Sequence, residues 1–223
     1  MGKPVAWSFS ALNNFQTCPR QFYEVRVAKN FKDEMGEAAL WGDRVHKALD
    51  NRITHGTPLP EGMKQYEKYA KKVLDSPGEL HAERKLCLNP NLEPTKFFAK
   101  DAWVRGIIDV SVINGTKAWA GDWKTGKRKL DSDQLKLFAG MMFATHSSLE
   151  VVKTTFIWLK EGKADSDTFT RDQVPEIWQH FQPKVRKLEL AHERNHWPPN
   201  PSGLCRKHCP VLSCEFNGRS DDT

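Results

Sequence analysis

The sequence predicts an α/β (α+β) fold, with a central mixed β-sheet flanked by helices. Segments with apolar residues at helical spacing occupy both ends of the chain, and short β-branched runs lie between them. Asn114-Gly115, a strong two-residue hairpin signal, joins two of those runs. The order of these segments is helix, three antiparallel strands, helix and strand.

Four helices are predicted before the sheet. Ser8 is a plausible N-cap for the first of them. In the third, Leu40, Val45, Leu49 and Ile53 recur at helical spacing. The predicted helical segments are Ser8 to Phe15, a short helix after Cys18-Pro19-Arg20, Gly36 to Ile53, and Glu61 to Leu74.

The β-rich runs come next, and two further helices follow or interrupt them. The predicted strands are Leu80 to Leu88, Val104 to Asp109 and beyond, Lys117 to Thr125, Val151 to Lys160, and a short pairing segment at Thr168 to Thr170. Asp131-Ser132-Asp133 is expected to cap a helix from about Gln134 to Thr145, and a long amphipathic helix runs from about Gln173 to Arg194. This order places the Asp109 and Asp122 strands in the middle of the sheet.

Length and composition fit one substantial domain over residues 1–223, with N-terminal helices at about 8–30 and a Cys-rich tail at about 197–218. No apolar run is long enough to cross a membrane, and the Met-Gly-Lys-Pro start lacks a signal-peptide core, so we expect a soluble, cytoplasmic protein. The net charge of +6 suits a polyanionic partner, although lysines scattered on helix surfaces would give the same value.

Two carboxylates and a lysine form the first candidate site. The hairpin puts Asp109 and Asp122 on neighbouring strands, and strand alternation puts Asp122 and Lys124 on one face with Trp123 on the other. Such a set can hold a divalent cation and place an ammonium beside an attacking water.

The alternative is that these are solvated residues at strand ends. Asp109 argues against it, because it follows an apolar run in which an unpaired carboxylate would cost several kcal/mol. Glu83, on the preceding strand, could supply a further carboxylate, but we expect it to be a solvated strand residue.

The cysteines form a second candidate site. Cys205, Cys209 and Cys214 lie within ten residues of a Pro- and Gly-rich tail, whereas Cys87 is expected in the core. In a reducing cytoplasm this clustering indicates thiolate ligation of a metal rather than disulfides, and the residues alone leave the fourth ligand open.

The order of several short motifs resembles the PD-(D/E)XK nuclease superfamily, and within it RecB-like exonucleases, including CRISPR-associated and phage-encoded members. The matching motifs are Ser8-Phe9-Ser10-Ala11-Leu12, Cys18-Pro19-Arg20, Gly42-x-x-x-His46, Gly106-Ile107-Ile108-Asp109, Asp122-Trp123-Lys124-Thr125-Gly126, and Gln134. The resemblance implies a restriction-endonuclease-like core and metal-dependent hydrolysis of DNA.

The resemblance also implies roles for individual residues. His46, Asp109 and Asp122 would bind Mg²⁺ or Mn²⁺ together with the backbone carbonyl of Trp123. Lys124 would orient or deprotonate the water, and Gln134 would hydrogen-bond near the active centre or the DNA.

For the cysteines, the resemblance implies a [4Fe–4S] cluster held by Cys18, Cys205, Cys209 and Cys214. The Cys-x3-Cys-x4-Cys spacing shifts the middle cysteine by one place relative to many such proteins. Tetrahedral Zn²⁺ on the same four residues, or with His208 replacing one thiolate, therefore remains the alternative.

Basic residues near the catalytic strands are candidates for sequence-independent phosphate contacts, although a solvated face explains any one of them equally well. They are Arg105, Lys127, Arg128, Lys129 and Lys136. We expect DNA, as a single strand or a strand end, to be the partner, while RNA stays open because nothing reads or rejects a 2′-hydroxyl.

In its small size the chain resembles stand-alone phage exonucleases that act in recombination or genome processing. The resemblance implies a location in the host cytoplasm. It also implies a further partner, either other copies of the chain in a homo-oligomer or a recombination protein. The competing hypothesis is a non-catalytic DNA-binding or assembly factor with a structural metal cluster. The intact Asp109, Asp122 and Lys124 set favours the enzyme.

Overall fold

The computed structural model describes residues 4–129 and 133–218. Its centre is a five-stranded sheet whose strands follow one another in chain order. The strands are β1 (Glu79–Leu88), β2 (Val104–Asn114), β3 (Lys117–Lys124), β4 (Val151–Trp158) and β5 (Lys163–Thr170). The β3–β4 pair is parallel and the other three pairs are antiparallel, which confirms the mixed sheet and the α+β class.

The described residues include six α-helices. They are α1 (Phe9–Thr17), α2 (Pro19–Phe22), α3 (Glu37–His55), α4 (Glu67–Leu74), α5 (Asp133–Thr145) and α6 (Val174–Arg194). Ser8 caps α1 as predicted, with its hydroxyl accepting from the backbone N–H of Ala11 at 3.3 Å. The capping prediction for Asp131 and Ser132 lies outside the described residues.

Local structure departs from the sequence-based prediction in three places. The edge strand β5 runs over eight residues, Lys163–Thr170, rather than over Thr168 to Thr170 alone. The hairpin loop is Gly115-Thr116 rather than Asn114-Gly115, since Asn114 pairs with Lys117 and Gly115 takes the positive φ of 59° at the first loop position. The segment Glu61–Tyr66 is a 3₁₀ helix before α4 begins.

One face of the sheet is covered by α3 and α4. Val45, Leu49 and Ile53 of α3 are buried against strand residues that include Val110 and Trp123. On the other face of β3 and β4, Leu135 near the start of α5 forms a small apolar cluster with Phe156 and Trp158. β3, which carries Asp122 and Lys124, is therefore packed on both of its faces.

The described chain divides into two compact units. The first holds residues 4–6, 35–129 and 133–179, with the whole sheet, and the second holds residues 7–34 and 180–218. All the predicted catalytic residues fall in the first unit and all four predicted cluster cysteines fall in the second. The expectation of a single domain stays a prediction. None of the helices within the described residues could span a bilayer.

Candidate active site

Asp122 and Lys124 occupy the end of β3, where the strand alternation predicted from the sequence is observed. Lys124 Nζ lies 2.7 Å from Asp122 Oδ2, while the intervening Trp123 belongs to the apolar cluster under α3. Gln134 of α5 completes this group. Its Nε2 donates to Asp122 Oδ1 at 2.9 Å, and its Oε1 accepts from Lys124 Nζ at 2.9 Å.

Asp109 lies beside this group on β2. Its Oδ2 accepts a hydrogen bond of 2.7 Å from the backbone N–H of Trp123 and lies 3.3 Å from His46 Nδ1 on α3. The backbone carbonyl of Trp123 also forms a hydrogen bond with the His46 ring, which contributes to raising the pKa of His46. The structure therefore brings His46, Asp109 and Trp123 together, as predicted from the motifs.

Glu83 is the residue that sequence reasoning placed wrongly. Its carboxylate is only partly exposed, and its ligand atom, one from His46 and one from Asp109 lie within 4.8 Å of one another. No other group of three potential metal-binding side chains meets this distance in the part of the chain that the structure describes. The expectation of a solvated Glu83 is therefore corrected.

The backbone explains how Glu83 reaches this position. It has a positive φ of 47°, which is strained for a residue with a side chain, and the strand alternation of β1 changes there. His81 and Arg84 are three residues apart and should face opposite sides, yet both act on His146 just after α5. The pairing of β1 with β2 nevertheless keeps one residue opposite one, with Ala82 across from Val110 and Arg84 across from Ile108, so Glu83 lies directly across from Asp109.

The electrostatics of the site suit a bound cation. Burial raises the pKa of Asp122 to about 6, with the charge of Asp109 adding to the effect and Lys124 opposing it. Burial also raises the pKa of Glu83, and the charges of Asp109 and Asp50 add to that. Several carboxylates that resist ionisation in one place are a common signature of a functional site.

The pKa of His46 is also raised, but here burial opposes the rise. Burial lowers the pKa of its imidazole, but the hydrogen bond with Asp109 and the charges of Asp109 and Asp122 outweigh this, so the net pKa is raised. Oxygen ligands with one imidazole form a donor set that fits Mg²⁺ or Mn²⁺. The residues present therefore fit the predicted metal.

The predicted phosphate-binding residues are in different surroundings. Lys127 is exposed and Lys136 is half-buried on α5, whereas Arg128 forms an ion pair with Asp165 and its backbone N–H donates to Glu161. The guanidinium carbon of Arg105 lies 5.7 Å and 5.8 Å from the ring centres of Phe97 and Phe98.

The four cysteines predicted to bind a cluster line a single cavity in the second unit, together with residues such as Arg20 and Asn217. Backbone N–H groups already point at two of the sulfurs. Gln21 and Asn200 donate to Cys18 Sγ at 3.5 and 3.4 Å, and Ser202 donates to Cys205 Sγ at 3.4 Å.

Cys209 and His208, two further candidate ligands, differ in their surroundings. Burial raises the pKa of the Cys209 thiol, and the proximity of Cys205, Cys18 and Cys214 raises it further. His208 is exposed and is not among the residues that line the cavity. Cys87 is buried in β1, as expected for a core residue.

The family model of the PD-(D/E)XK nuclease superfamily matches residues 6–214. This chain belongs to that superfamily. The match covers the whole run of motifs, from Ser8 to Cys214, and confirms the family predicted from the sequence.

Solved structures resemble this nuclease at low sequence identity. The protein SSO0001 is 15% identical over 97% of this chain and 89% of its own, with a TM-score of 0.50, which reflects a shared fold. A candidate exonuclease from Eubacterium rectale is 14% identical over 91% of this chain and 86% of its own, with a TM-score of 0.49. No curated protein sequence matches the chain.

Proposed function

We propose that this superfamily member is a deoxyribonuclease that requires Mg²⁺ or Mn²⁺ and acts from DNA ends. The observation that carries the proposal is the meeting of His46, Glu83 and Asp109 ligand atoms within 4.8 Å, beside the Asp122–Lys124–Gln134 group. Metal ligands and a positioned ammonium are the two parts that hydrolysis of a phosphodiester needs.

In this proposal each residue has a distinct role. His46, Glu83, Asp109 and Asp122 hold the cation, together with the Trp123 carbonyl. The chemistry supplied by a divalent cation here is neutralisation of charge on the scissile phosphate and acidification of water. Lys124 orients the attacking water and donates to a phosphate oxygen.

Gln134 and His46 then act as positioning groups. Because Gln134 hydrogen-bonds both Asp122 and Lys124, it fixes their separation and keeps the ammonium on the correct side of the carboxylate. The imidazole of His46 restrains Asp109 from α3, a rigid element of 19 residues.

The experiment is degradation of end-labelled linear DNA and closed-circular DNA by the wild type and by Asp109→Asn. The reactions contain Mg²⁺, Mn²⁺ or EDTA. Asp75→Asn, at an exposed position after α4, is the matched control. We expect metal-dependent loss of linear DNA only, abolished by Asp109→Asn and kept by Asp75→Asn.

Two results would contradict the proposal. Cleavage of the circle at the same rate as the linear DNA would make the chain an endonuclease. DNA binding without cleavage by wild type would favour the second hypothesis, a DNA-binding or assembly factor. An RNA substrate of the same sequence, run in parallel, tests whether the sugar matters.

We further propose that Cys18, Cys205, Cys209 and Cys214 hold a [4Fe–4S] cluster. Two observations support it. The four cysteines line one cavity, and backbone N–H groups donate hydrogen bonds to Cys18 Sγ and Cys205 Sγ, as is typical of such clusters. A tetrahedral Zn²⁺ on the same four cysteines, or with His208 replacing one thiolate, is the alternative.

Iron and zinc content, with the visible spectrum of anaerobically purified protein, separates the two. About four irons per chain and a brown colour that Cys205→Ser removes would support the cluster. One zinc per chain in a colourless protein would contradict it. A role in phage recombination or DNA processing, with its location and protein partners, stays a prediction from the sequence.

A further inference from the structure

A partly exposed strip of side chains leads away from the carboxylates of the candidate active site. It consists of Lys85 on β1, Ile107 and Arg105 on β2, and Phe97 and Phe98 in the loop between these strands; we call it the Phe98 strip. Lys85, Ile107 and Phe98 are exposed in it, whereas Arg105 and Phe97 are half-buried. None of these five residues belongs to the metal-binding group described above.

Strand register places the strip in line with Asp109. Lys85 is paired with Ile107, and Cys87 with Arg105, so each pair shares a face of the sheet. Arg105 and Asp109 are four residues apart on β2, which corresponds to about 14 Å. That length equals roughly four stacked nucleotides at about 3.4 Å each.

The strip is open to solvent because α5 packs on the opposite side at this end of the sheet. A side chain at Gly106 would meet the sulfur of Met141 on α5 at 2.8 Å, so the neighbouring Arg105 and Ile107 point away from that helix. Ile107 is 40% exposed although it lies between two buried neighbours.

The strip combines aromatic and basic side chains. Phe98 is 82% exposed, an unusual cost for a large apolar side chain, and its ring packs edge-on against Phe97 at 5.2 Å between ring centres. The Arg105 guanidinium lies near both rings. Asp101, an acidic residue nearby in the chain, accepts a hydrogen bond from Thr95.

We propose that the Phe98 strip binds the single-stranded segment of a nucleic acid next to the scissile bond, with a base stacked on Phe98 and phosphates at Arg105 and Lys85. An apolar ring beside cations matches a chain of bases joined by phosphates, and stacking is tolerant of base identity. The inference rests on the proposed nuclease function and names the substrate form that the same site takes.

The first test is binding, measured without divalent metal so that nothing is cleaved. Fluorescence anisotropy of a labelled 12-nucleotide oligo(dT) is followed with the wild type, Phe98→Ala, Phe98→Tyr and Leu74→Ala. Leu74 is a partly exposed apolar residue at the end of α4, outside the strip. We expect Phe98→Ala to weaken binding by about tenfold or more, and the other two variants to bind like the wild type.

The second test measures catalysis on substrates with and without bases. With Mn²⁺, Phe98→Ala should raise KM for single-stranded DNA while hydrolysis of bis(p-nitrophenyl) phosphate, a small diester, stays at the wild-type rate. Unchanged oligo(dT) affinity in Phe98→Ala, or an equal loss of affinity for blunt duplex, would overturn the proposal. If the wild type binds oligo(dT) through Phe98 but cleaves neither substrate, the nuclease function fails while the binding strip stands.

Discussion

Asp122 and Asp109 are two carboxylates placed on adjacent strands with little access to water. Asp122 is 4% exposed and Asp109 is 8% exposed, and polar side chains buried to this degree need hydrogen-bonding partners. The structure supplies Lys124 and Gln134 to one and the Trp123 N–H and His46 to the other. This arrangement makes the site sensitive to pH when no cation is bound.

We expect the metal-free protein to lose stability as pH rises through the window from 3.8 to about 6. The raised pKa of Asp122 means that the folded chain still holds a proton there that the unfolded chain has released. Asp122→Asn removes this proton linkage. From pH 4 to pH 7.5, the free energy of unfolding of Asp122→Asn should therefore rise relative to that of the wild type, by at most about 3 kcal/mol.

Urea unfolding in EDTA at those two pH values measures the change, with Asp75→Asn as the control that should follow the wild type. If the free energies of unfolding of Asp122→Asn and wild type differed by the same amount at both pH values, the pKa of the Asp122 carboxyl would not be raised in the folded protein. Because Asp122 is a proposed ligand, adding Mn²⁺ at pH 7.5 should stabilise the wild type more than Asp122→Asn. A cation that binds only the folded state stabilises that state.

Glu83 gives a second prediction at the residue scale. Glu83→Gln should weaken Mn²⁺ binding by about tenfold or more, because it removes one charged ligand from the group with His46 and Asp109. Isothermal titration of Mn²⁺ measures this directly. Glu79→Gln, an exposed change on the same strand, is the control. Equal Mn²⁺ affinity in both variants would return Glu83 to the solvated role first expected from the sequence.

At the scale of the element, β3 is shaped by what lies across it as well as by its own residues. Gly121 precedes Asp122, and a side chain there would come within 2.5 Å of the Trp119 ring and 3.0 Å of Val110. The indole of Trp119 is held by its hydrogen bond of 2.9 Å to Thr155 on β4. The strand therefore has no room for a larger residue next to Asp122.

Gly121→Ala should lower the free energy of unfolding by about 1–3 kcal/mol, since a rigid ring must shift. Gly126→Ala is the matched control, because nothing lies within 4 Å of its added carbon. Chemical denaturation of both variants tests the difference. If Gly121→Ala matched Gly126→Ala in stability, the close approach of Trp119 would be refuted.

The edge strand β5 shows why some elements escape sequence reasoning. Lys163–Thr170 is mostly polar and exposed, so neither apolar alternation nor β-branched content marks its first half. It forms because β4 presents a full row of backbone groups for pairing, which depends on the sheet and not on local preference. The same strand engages Arg128 through Asp165, which sequence spacing of 37 residues does not reveal.

At the scale of the whole molecule, the second unit brings N-terminal helices and C-terminal tail together around the cysteine cavity. Apart from those thiols, aromatic rings such as Phe15, Phe22 and Trp197 contact one another there. A bound cluster would add its binding free energy to the folding of this unit.

We therefore expect Cys18→Ser to release the tail. Limited proteolysis should cut Cys18→Ser within residues 197–218 several times faster than wild type, whereas cleavage in the tail of Cys87→Ser should match wild type because Cys87 is buried in β1. Mass spectrometry of the fragments locates the cuts. Tail cleavage of Cys18→Ser at the wild-type rate would argue against a group that links Cys18 to the tail.

The sequence by itself determined the features that depend on short-range geometry. The alternation of Asp122, Trp123 and Lys124, the Ser8 cap and the helical period of α3 follow from fixed repeats of 2 and 3.6 residues. The ordered motifs likewise indicated the superfamily that the family model confirms. Only the tertiary structure decided that Glu83 joins His46 and Asp109, that β5 is a full strand and that the Phe98 strip is partly exposed. These features arise from the pairing of β1 with β2, from the pairing of β5 with β4 and from the side of the sheet that α5 covers. Each depends on residues far apart in the chain.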